Sequence, residues 1–242
     1  MIDGLLLFLA VSILYSFWWF DFYFIKKNIS KFEIDFKNVL KKNDVIIIFN
    51  AGGWGTINYK EAFDLNPFSD FITDYLSVRG LKVGIVQYFR TEDHLIGKIG
   101  YFKDYVFDFQ RQAELITPII SDNNKKIILL GLSNGALIAD EIMERTKNKK
   151  NVFSIEFGKP FFGIKSDNEN ILLINEFEDD LSNGNTWQLF KATFIFGTFK
   201  WIRNFILGEG ISLGKAVNIK GHYYPLEKHK ERVRVFIDKK IL

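Results

Sequence analysis

The sequence predicts an α/β fold: a mainly parallel sheet of about six strands with helices on both faces. Short runs rich in branched apolar residues recur along the chain, and the run at 44–49 is almost continuously apolar. That pattern is typical of parallel strands that are covered on both faces. Longer segments with polar residues at intervals separate these runs and predict helices. Residues 44–242 contain no internal repeat, proline-rich linker or low-complexity tract, which favours one domain.

Boundary residues and apolar patterns place the individual elements. Pro67 suits the first turn of a helix, and Gly80 suits the end of the same helix. The apolar runs predict strands at 44–49, 81–88, 125–130, 152–157, 171–175 and 214–220. Further helices are predicted at 98–120, after residue 135, and at 225–240.

Composition and charge exclude several classes of function. The 242 residues carry a formal net charge of +3, and the basic residues are spread out, which leaves no basic patch for nucleic acid. The chain has no cysteine, which excludes disulfides, thiolate chemistry and cysteine-ligated metals. The glycine-rich stretch at 50–55 matches neither the dinucleotide-binding nor the P-loop pattern. We therefore expect no cofactor, no metal and no nucleic-acid partner.

Residues 1–27 predict a single membrane anchor. Residues 4–20 carry no charge, and together with 22–25 they make about 20 residues, enough to cross a hydrocarbon core. The aromatic cluster at 18–24 suits the membrane interface, and lysines follow this segment while none precedes it. This bias predicts a single-pass protein whose domain faces the cytoplasm. The alternatives are a buried first helix and a signal peptide, but the sequence lacks the positive start and cleavage site of a signal peptide.

A polar connector at 28–43 joins the predicted anchor to the domain. Phe32, Ile34 and Phe36 alternate with polar side chains there, which predicts an edge strand. A second unusual segment, 187–207, is long, apolar and aromatic, and its charged residues argue against another membrane span. It predicts a lid or an interfacial helix, with an ordinary packing helix as the alternative.

The strongest chemical signal is the Gly-x-Ser-x-Gly pattern at Gly131–Gly135. It follows a predicted strand and precedes a predicted helix, the setting in which a sharp turn exposes a serine nucleophile. We therefore predict that Ser133 is the nucleophile, flanked by glycines because a Cβ would collide with the neighbouring strand and helix. The same pattern recurs at Gly210–Gly214, around Ser212, but there a helix-like segment comes first and a strand-like one follows. We interpret this second copy as a flexible turn.

A serine nucleophile needs a general base, and the chain has three histidines. His222 follows the last predicted strand and precedes a helix, which places it at the same sheet edge as Ser133. We predict that His222 is the base. His94, in a loop after a strand, is a weaker candidate, and His229, in the charged terminal helix, is predicted to be a solvated surface residue.

The carboxylate that orients the base is expected after another strand. Four acids follow the strand at 171–175, and we favour Asp179 while Glu176, Glu178 and Asp180 remain alternatives. Backbone N–H groups must also stabilise the developing oxyanion. The amide of Asn134, directly after the nucleophile, is one candidate. A second is expected in the glycine-rich loop, at Gly53 or Trp54.

Together these residues resemble the α/β-hydrolase family, in which a serine, an acid and a histidine follow in that order. Ser133, Asp179 and His222 occur in this order, and the resemblance covers about residues 44–242. It implies an acyl-enzyme on Ser133, formed with His222 as general base and then hydrolysed by water. The segment 28–43 leaves little room for the first two strands of the family, and any lid must come from 187–207.

The prediction is thus a membrane-anchored serine hydrolase that cleaves a carboxylic ester, with a lipid or another apolar acyl compound as substrate. Two alternatives remain. The same triad would also transfer an acyl group to an alcohol or amine. The fold would also serve, without catalysis, as a membrane-tethered binding module.

Overall fold

The computed structural model describes residues 2–53, 55–92, 110–163, 167–185, 187–188, 191, 195–196, 198–208 and 219–242. Its centre is a five-stranded, all-parallel sheet in the order β2-β1-β3-β4-β5. The strands are β1 (Val45–Asn50), β2 (Val83–Gln87), β3 (Lys126–Leu132), β4 (Val152–Phe157) and β5 (Ile171–Ile174). The prediction of an α/β fold with a parallel sheet is confirmed.

Five strands are observed where about six were predicted. Residues 214–218 of the sixth predicted strand lie outside the described residues. Ile219 and Lys220, which end that predicted strand, are in coil and a turn. Each of the other five predicted strands overlaps an observed one. The apolar runs of β1, β3 and β4 are almost entirely buried, as expected for strands covered on both faces, whereas β2 and β5 are only partly buried.

The helices of the described residues lie before β1, between successive strands from β1 to β4, and after β5. They are α1 (Ile2–Leu40), α2 (Asn66–Ser77), α3 (Gln110–Ser121), α4 (Asn134–Arg145), α5 (Thr198–Ile206) and α6 (Leu226–Lys240), with one 3-10 turn at Tyr59–Glu61. Pro67 occupies the first turn of α2, and Gly80 follows the helix with φ +80°, as predicted. The helix predicted at 98–120 overlaps α3, and its residues 98–109 lie outside the described residues.

The two faces of the sheet carry separate apolar cores. On one face, α2 and α6 pack against odd-numbered residues of β1, including Ile47 and Phe49. On the other face, α1, α3 and α4 pack against the even-numbered residues, including Ile46 and Ile48. The alternation follows from the two-residue period of a strand, which sends successive side chains to opposite faces.

The order of the strands has a switch point between β1 and β3. From β1 the chain crosses to β2 on one side and then returns to β3 on the other. The loops that follow β1 and β3 therefore diverge at their carboxyl ends, the position at which open α/β sheets bind ligands. The glycine-rich loop and Ser133 lie at these two strand ends.

The predicted edge strand within 28–43 is wrong, because residues 28–40 continue α1 as a helix. Phe32 and Phe36 are one helical turn apart and buried, with ring centroids 5.8 Å apart, whereas Ile34 is 61% exposed. Phe32 also meets the Tyr88 ring at 5.6 Å. Phe32 and Phe36 fit both periods over so short a run, but only a helix places Ile34 on a different face from these two residues.

The amino-terminal part of α1 exposes apolar side chains at intervals of three or four residues: Phe8, Val11, Tyr15, Trp19 and Tyr23. Within the described parts of the chain, no helix combines the length and the apolar character needed to cross a membrane. The anchor at 1–27 stays a prediction.

We expect Phe36→Ala to lower the free energy of unfolding by about 3–5 kcal/mol, because it removes a buried ring from the core beneath α1. Ile34→Ala is the matched control and should change that free energy by less than about 0.5 kcal/mol. Equilibrium denaturant unfolding of the full chain measures both. Equal losses for the two variants would contradict the helical packing of this segment.

Candidate active site

Ser133 occupies the turn between β3 and α4 in a strained backbone conformation. Its φ is +54° and its ψ is −120°, and it is the only non-glycine residue with positive φ among the described residues. Its N–H donates to the Phe157 carbonyl at 2.9 Å, and its carbonyl accepts from Ala136 and Leu137 in the first turn of α4. Such conformations are unfavourable and persist only where surrounding contacts impose them.

The turn at Gly131–Gly135, here called the elbow, has a glycine at each end. Both glycines allow close contacts that a side chain would prevent. A Cβ atom at Gly131 would lie 2.6 Å from the Gly135 carbonyl oxygen. A Cβ atom at Gly135 would overlap the carbonyl oxygen of Asn50, at the end of β1. The turn therefore packs directly against the strand that leads into the glycine-rich loop, which agrees with the predicted reason for these glycines.

Asp179 and His222 form a hydrogen-bonded pair at the same edge of the sheet. His222 Nδ1 lies 2.8 Å from Asp179 Oδ2, and Asp179 is fully buried. The Tyr224 hydroxyl donates to the same oxygen at 2.5 Å, and the Leu181 amide donates to Oδ1 at 2.9 Å. Because every contact of this carboxylate comes from a donor, its ionised form is well solvated by the protein.

The surroundings shift the pKa values of Asp179 and Tyr224 in opposite directions. Burial opposes ionisation of Asp179, but the hydrogen bonds from His222 and Tyr224 outweigh it and lower the pKa of Asp179. Burial and the neighbouring Asp179 raise the pKa of Tyr224, so its hydroxyl stays protonated and donates. Tyr224 is a site residue that sequence analysis missed, since nothing in the Gly-His-Tyr-Tyr segment distinguishes it from Tyr223.

The structure distinguishes Asp179 from the other three acids of its loop. Glu176 lies 2.6 Å from Lys228 and 2.9 Å from His229, while Asp180 accepts from Asn185. Glu178 is exposed. Of the four candidates, Asp179 is the one whose carboxylate contacts His222.

The end of β4 contacts Ser133 and lies against His222. Gly158 directly follows Phe157, the acceptor of the Ser133 amide, and a Cβ atom at Gly158 would lie 2.6 Å from His222 Cε1. Its φ of +55° also requires glycine. His222 Nε2 is buried without a hydrogen-bond partner among the described residues, so Ser133 Oγ does not donate to it here. Catalytic hydrogen bonds are often long in ligand-free sites and shorten when substrate binds.

The glycine-rich loop lies beside Asn134, the residue that follows Ser133. The Asn134 side-chain amide donates to the Gly53 carbonyl at 3.3 Å, and Gly53 has φ +54°. Asn134 begins α4, where the backbone N–H has no acceptor within the helix. The other predicted donor, Trp54, lies outside the described residues.

Arg90 is a second residue that sequence analysis missed, and its guanidinium contacts the backbone of the glycine-rich loop. Its side chain is fully buried, and its guanidinium donates to three carbonyl oxygens of the loop. The sequence places Arg90 in a polar loop after β2, where an arginine is ordinarily exposed. No local signal indicates its burial.

The other two histidines have different outcomes. His229 was predicted to be a solvated surface residue, and this is wrong: it is 2% exposed and packs at the edge of the Phe157 ring. Burial lowers its pKa. It faces inward because its position on α6 is four residues before Val233, on the helix face that covers the sheet. His94 and the second serine pattern around Ser212 lie outside the described residues.

Two other polar regions lie apart from the Ser133 site. Lys159 Nζ lies 3.0 Å from Asp140 and 3.8 Å from Glu156, and burial together with Asp140 raises the pKa of Glu156 to about 8. A cavity of about 320 Å³ between α1 and the loops after β1 and β2 is lined by none of the three predicted triad residues. Within the described ranges, no three His, Asp or Glu side chains are grouped as metal ligands.

Comparison of the chain with protein-family models, with curated proteins and with solved structures finds no match in any of the three. The site is therefore interpreted from its own geometry.

Ser133→Gly should unfold less readily than Ser133→Ala, by roughly 1 kcal/mol, because both lose the hydroxyl but only glycine relieves the positive φ. Ser30, which is exposed within α1, provides the matched control. At this position Ser30→Ala should be more stable than Ser30→Gly by about 1 kcal/mol, because alanine is favoured over glycine inside a helix. Denaturant unfolding of the four variants measures both differences, and the same sign at both positions would contradict strain at Ser133.

Proposed function

We propose that this chain is a serine hydrolase of the α/β-hydrolase type that cleaves a carboxylic ester through Ser133, His222 and Asp179. The observation that carries the proposal is the strained serine between β3 and α4, beside a histidine that is hydrogen-bonded to a buried carboxylate. A serine at this kind of turn, with a base and an orienting acid from later strand ends, is the arrangement that acyl transfer requires.

The proposed reaction proceeds in two stages. Ser133 Oγ attacks the ester carbonyl carbon while its proton moves to His222 Nε2, the ring atom not occupied by Asp179. The carbon–oxygen bond of the leaving group then breaks, and His222 returns the proton to the departing alkoxide. Water next attacks the acyl-enzyme with His222 again as base, which releases the carboxylic acid and regenerates Ser133.

Charge that develops on the carbonyl oxygen needs donors that are already in place. In the proposed site these are the amide of Asn134, at the start of α4, and the amide of Gly53 in the loop that Asn134 contacts. The helix adds its positive amino-terminal dipole at the same position. The buried Asp179, kept ionised by its donors, stabilises the His222 imidazolium that forms transiently.

We further propose that the substrate is a lipid or another apolar acyl ester and that residues 1–27 anchor the enzyme in a membrane, with the domain on the cytoplasmic side. The uncharged composition of residues 4–20 and the exposed apolar side chains on α1 support the anchor. On α5, Phe199, Ile202 and Ile206 are exposed at helical spacing while Asn204 is buried. This apolar face supports a lid or interfacial helix within 187–207.

Ser133→Ala should reduce hydrolysis of a short p-nitrophenyl ester to the uncatalysed background, because the acyl-enzyme cannot form. Asp179→Asn should lower kcat by about 10³–10⁴-fold, since an amide would hold the wrong histidine tautomer. Asp180→Asn, the neighbouring carboxylate without a contact to His222, is the matched control and should leave kcat within about twofold. Steady-state kinetics of the purified full chain measures all three.

Turnover that survives in Ser133→Ala would rule out this nucleophile. Equal losses in Asp179→Asn and Asp180→Asn would remove the orienting role from Asp179. Product analysis with an added alcohol or amine separates hydrolysis from acyl transfer by the same triad.

A further inference from the structure

We propose that Arg90 is a positioning residue for the oxyanion site: its guanidinium orients the peptides of the glycine-rich loop so that the Gly53 amide faces the reacting carbonyl. This inference rests on the proposed hydrolase function and deepens it. Arg90 does not touch the substrate in this account but acts through the loop.

The contacts of Arg90 are concentrated on one short stretch of backbone. Nη1 donates to the Ala51 carbonyl at 2.6 Å, and Nη2 donates to the carbonyls of Gly52 at 3.1 Å and Gly53 at 2.5 Å. Arg90 is fully buried, so these bonds form where water competes little. One side chain therefore fixes three successive carbonyl groups.

Fixing those carbonyls also fixes the amides. A trans peptide is planar, and its C=O and N–H point in opposite directions. Because the Gly52 carbonyl points toward the guanidinium, the N–H of Gly53 in the same peptide points away from it. The bond to the Ala51 carbonyl orients the Gly52 amide in the same way.

The loop needs such an external constraint because its own sequence provides little. Gly52, Gly53 and Gly55 have the widest conformational freedom of any residue type. An oxyanion donor is effective only when its direction is set before the reaction, since reorganisation during the reaction would consume the stabilisation. Gly53 has a φ of +54° here, but a glycine in an isolated loop could adopt many other φ values.

The loop is also joined to the nucleophile turn on its other side. The Asn134 side chain donates to the Gly53 carbonyl, and Gly135 packs against the Asn50 carbonyl. Gly55 completes the fit, because a Cβ atom there would lie 2.7 Å from the Arg90 guanidinium. Arg90 and the elbow thus hold the same loop from two directions.

Lysine cannot reproduce this arrangement. A guanidinium presents several donors in a fixed planar fork, whereas an ammonium is a single point on a flexible stem. Arg90→Lys should therefore keep the buried positive charge but leave the loop incompletely oriented. Its effect should appear in the transition state, where the oxyanion exists, more than in substrate binding.

The first test is the steady-state kinetics of Arg90→Lys with the p-nitrophenyl ester. We expect kcat to fall by about 10²-fold with KM within about threefold, the pattern of a lost transition-state interaction. Affinity for an alkyl trifluoromethyl ketone, which forms a hemiketal oxyanion on the serine, should fall in parallel with kcat/KM. Tyr88→Phe, two residues before Arg90 in the chain, is the control: it removes a buried hydrogen bond from the Tyr88 hydroxyl to Gln112. It should reduce stability and leave kcat unchanged.

A second measurement uses the unmodified chain and so does not depend on a variant that folds. In wild type, the amide proton of Gly53 should move downfield in nuclear magnetic resonance spectra when the ketone adds to Ser133, because it then donates to the oxyanion. An adduct that forms without this shift would overturn the role of the loop and of Arg90, and so would an Arg90→Lys enzyme with wild-type kcat. Absence of both turnover and adduct in wild type would instead overturn the proposed function, and this inference with it.

Discussion

The turn at Ser133 is the constraint on which the rest of the site depends. A positive φ at a serine is retained only because the elbow is enclosed: its amide bonds to the end of β4, and Gly135 presses against the end of β1. These two contacts tie the serine to both neighbouring strands. As a result, the loops after β1 and β4 meet at the serine, and His222 is brought in against Gly158. The parallel sheet is thus the framework for the proposed chemistry.

The site concentrates buried polar groups that would be costly elsewhere. Asp179 and Arg90 are both fully buried, and each is compensated by several hydrogen bonds in defined directions. Burying an ionised group with its partners already in place is what the proposed acyl transfer requires, because charge appears and disappears at this edge of the sheet.

Much of this architecture could be predicted from the sequence. The apolar runs of β1, β3 and β4 show the pattern of buried strands, and the Gly-x-Ser-x-Gly motif is a local signal. Asp179 and His222 are 43 positions apart in the chain. Both were nevertheless predicted at the carboxyl ends of parallel strands, which meet at the same edge of a sheet. Where the apolar pattern of a strand was strong, the strand predicted from the sequence was also the strand found in the sheet.

The rest could not be predicted for identifiable physical reasons. Phe32 and Phe36 lie four residues apart, a spacing that fits a period of two as well as the helical period, so only packing against Tyr88 decides between strand and helix. His229 lies in a highly charged helix, and which face is buried depends on how α6 meets the sheet. The burial of Arg90 depends on backbone carbonyl groups that are distant in the chain. Every residue has a carbonyl group, so the sequence does not indicate which ones will bind the guanidinium.

The central claim is that Ser133 is the reactive nucleophile, and covalent labelling tests it most directly. The full chain is treated with a fluorophosphonate, which reacts with activated serines, and the adduct is located by peptide mass spectrometry. We expect a single adduct on Ser133, and no adduct when the chain is unfolded before treatment. No adduct on the folded chain, or an adduct on Ser212, would contradict the central claim.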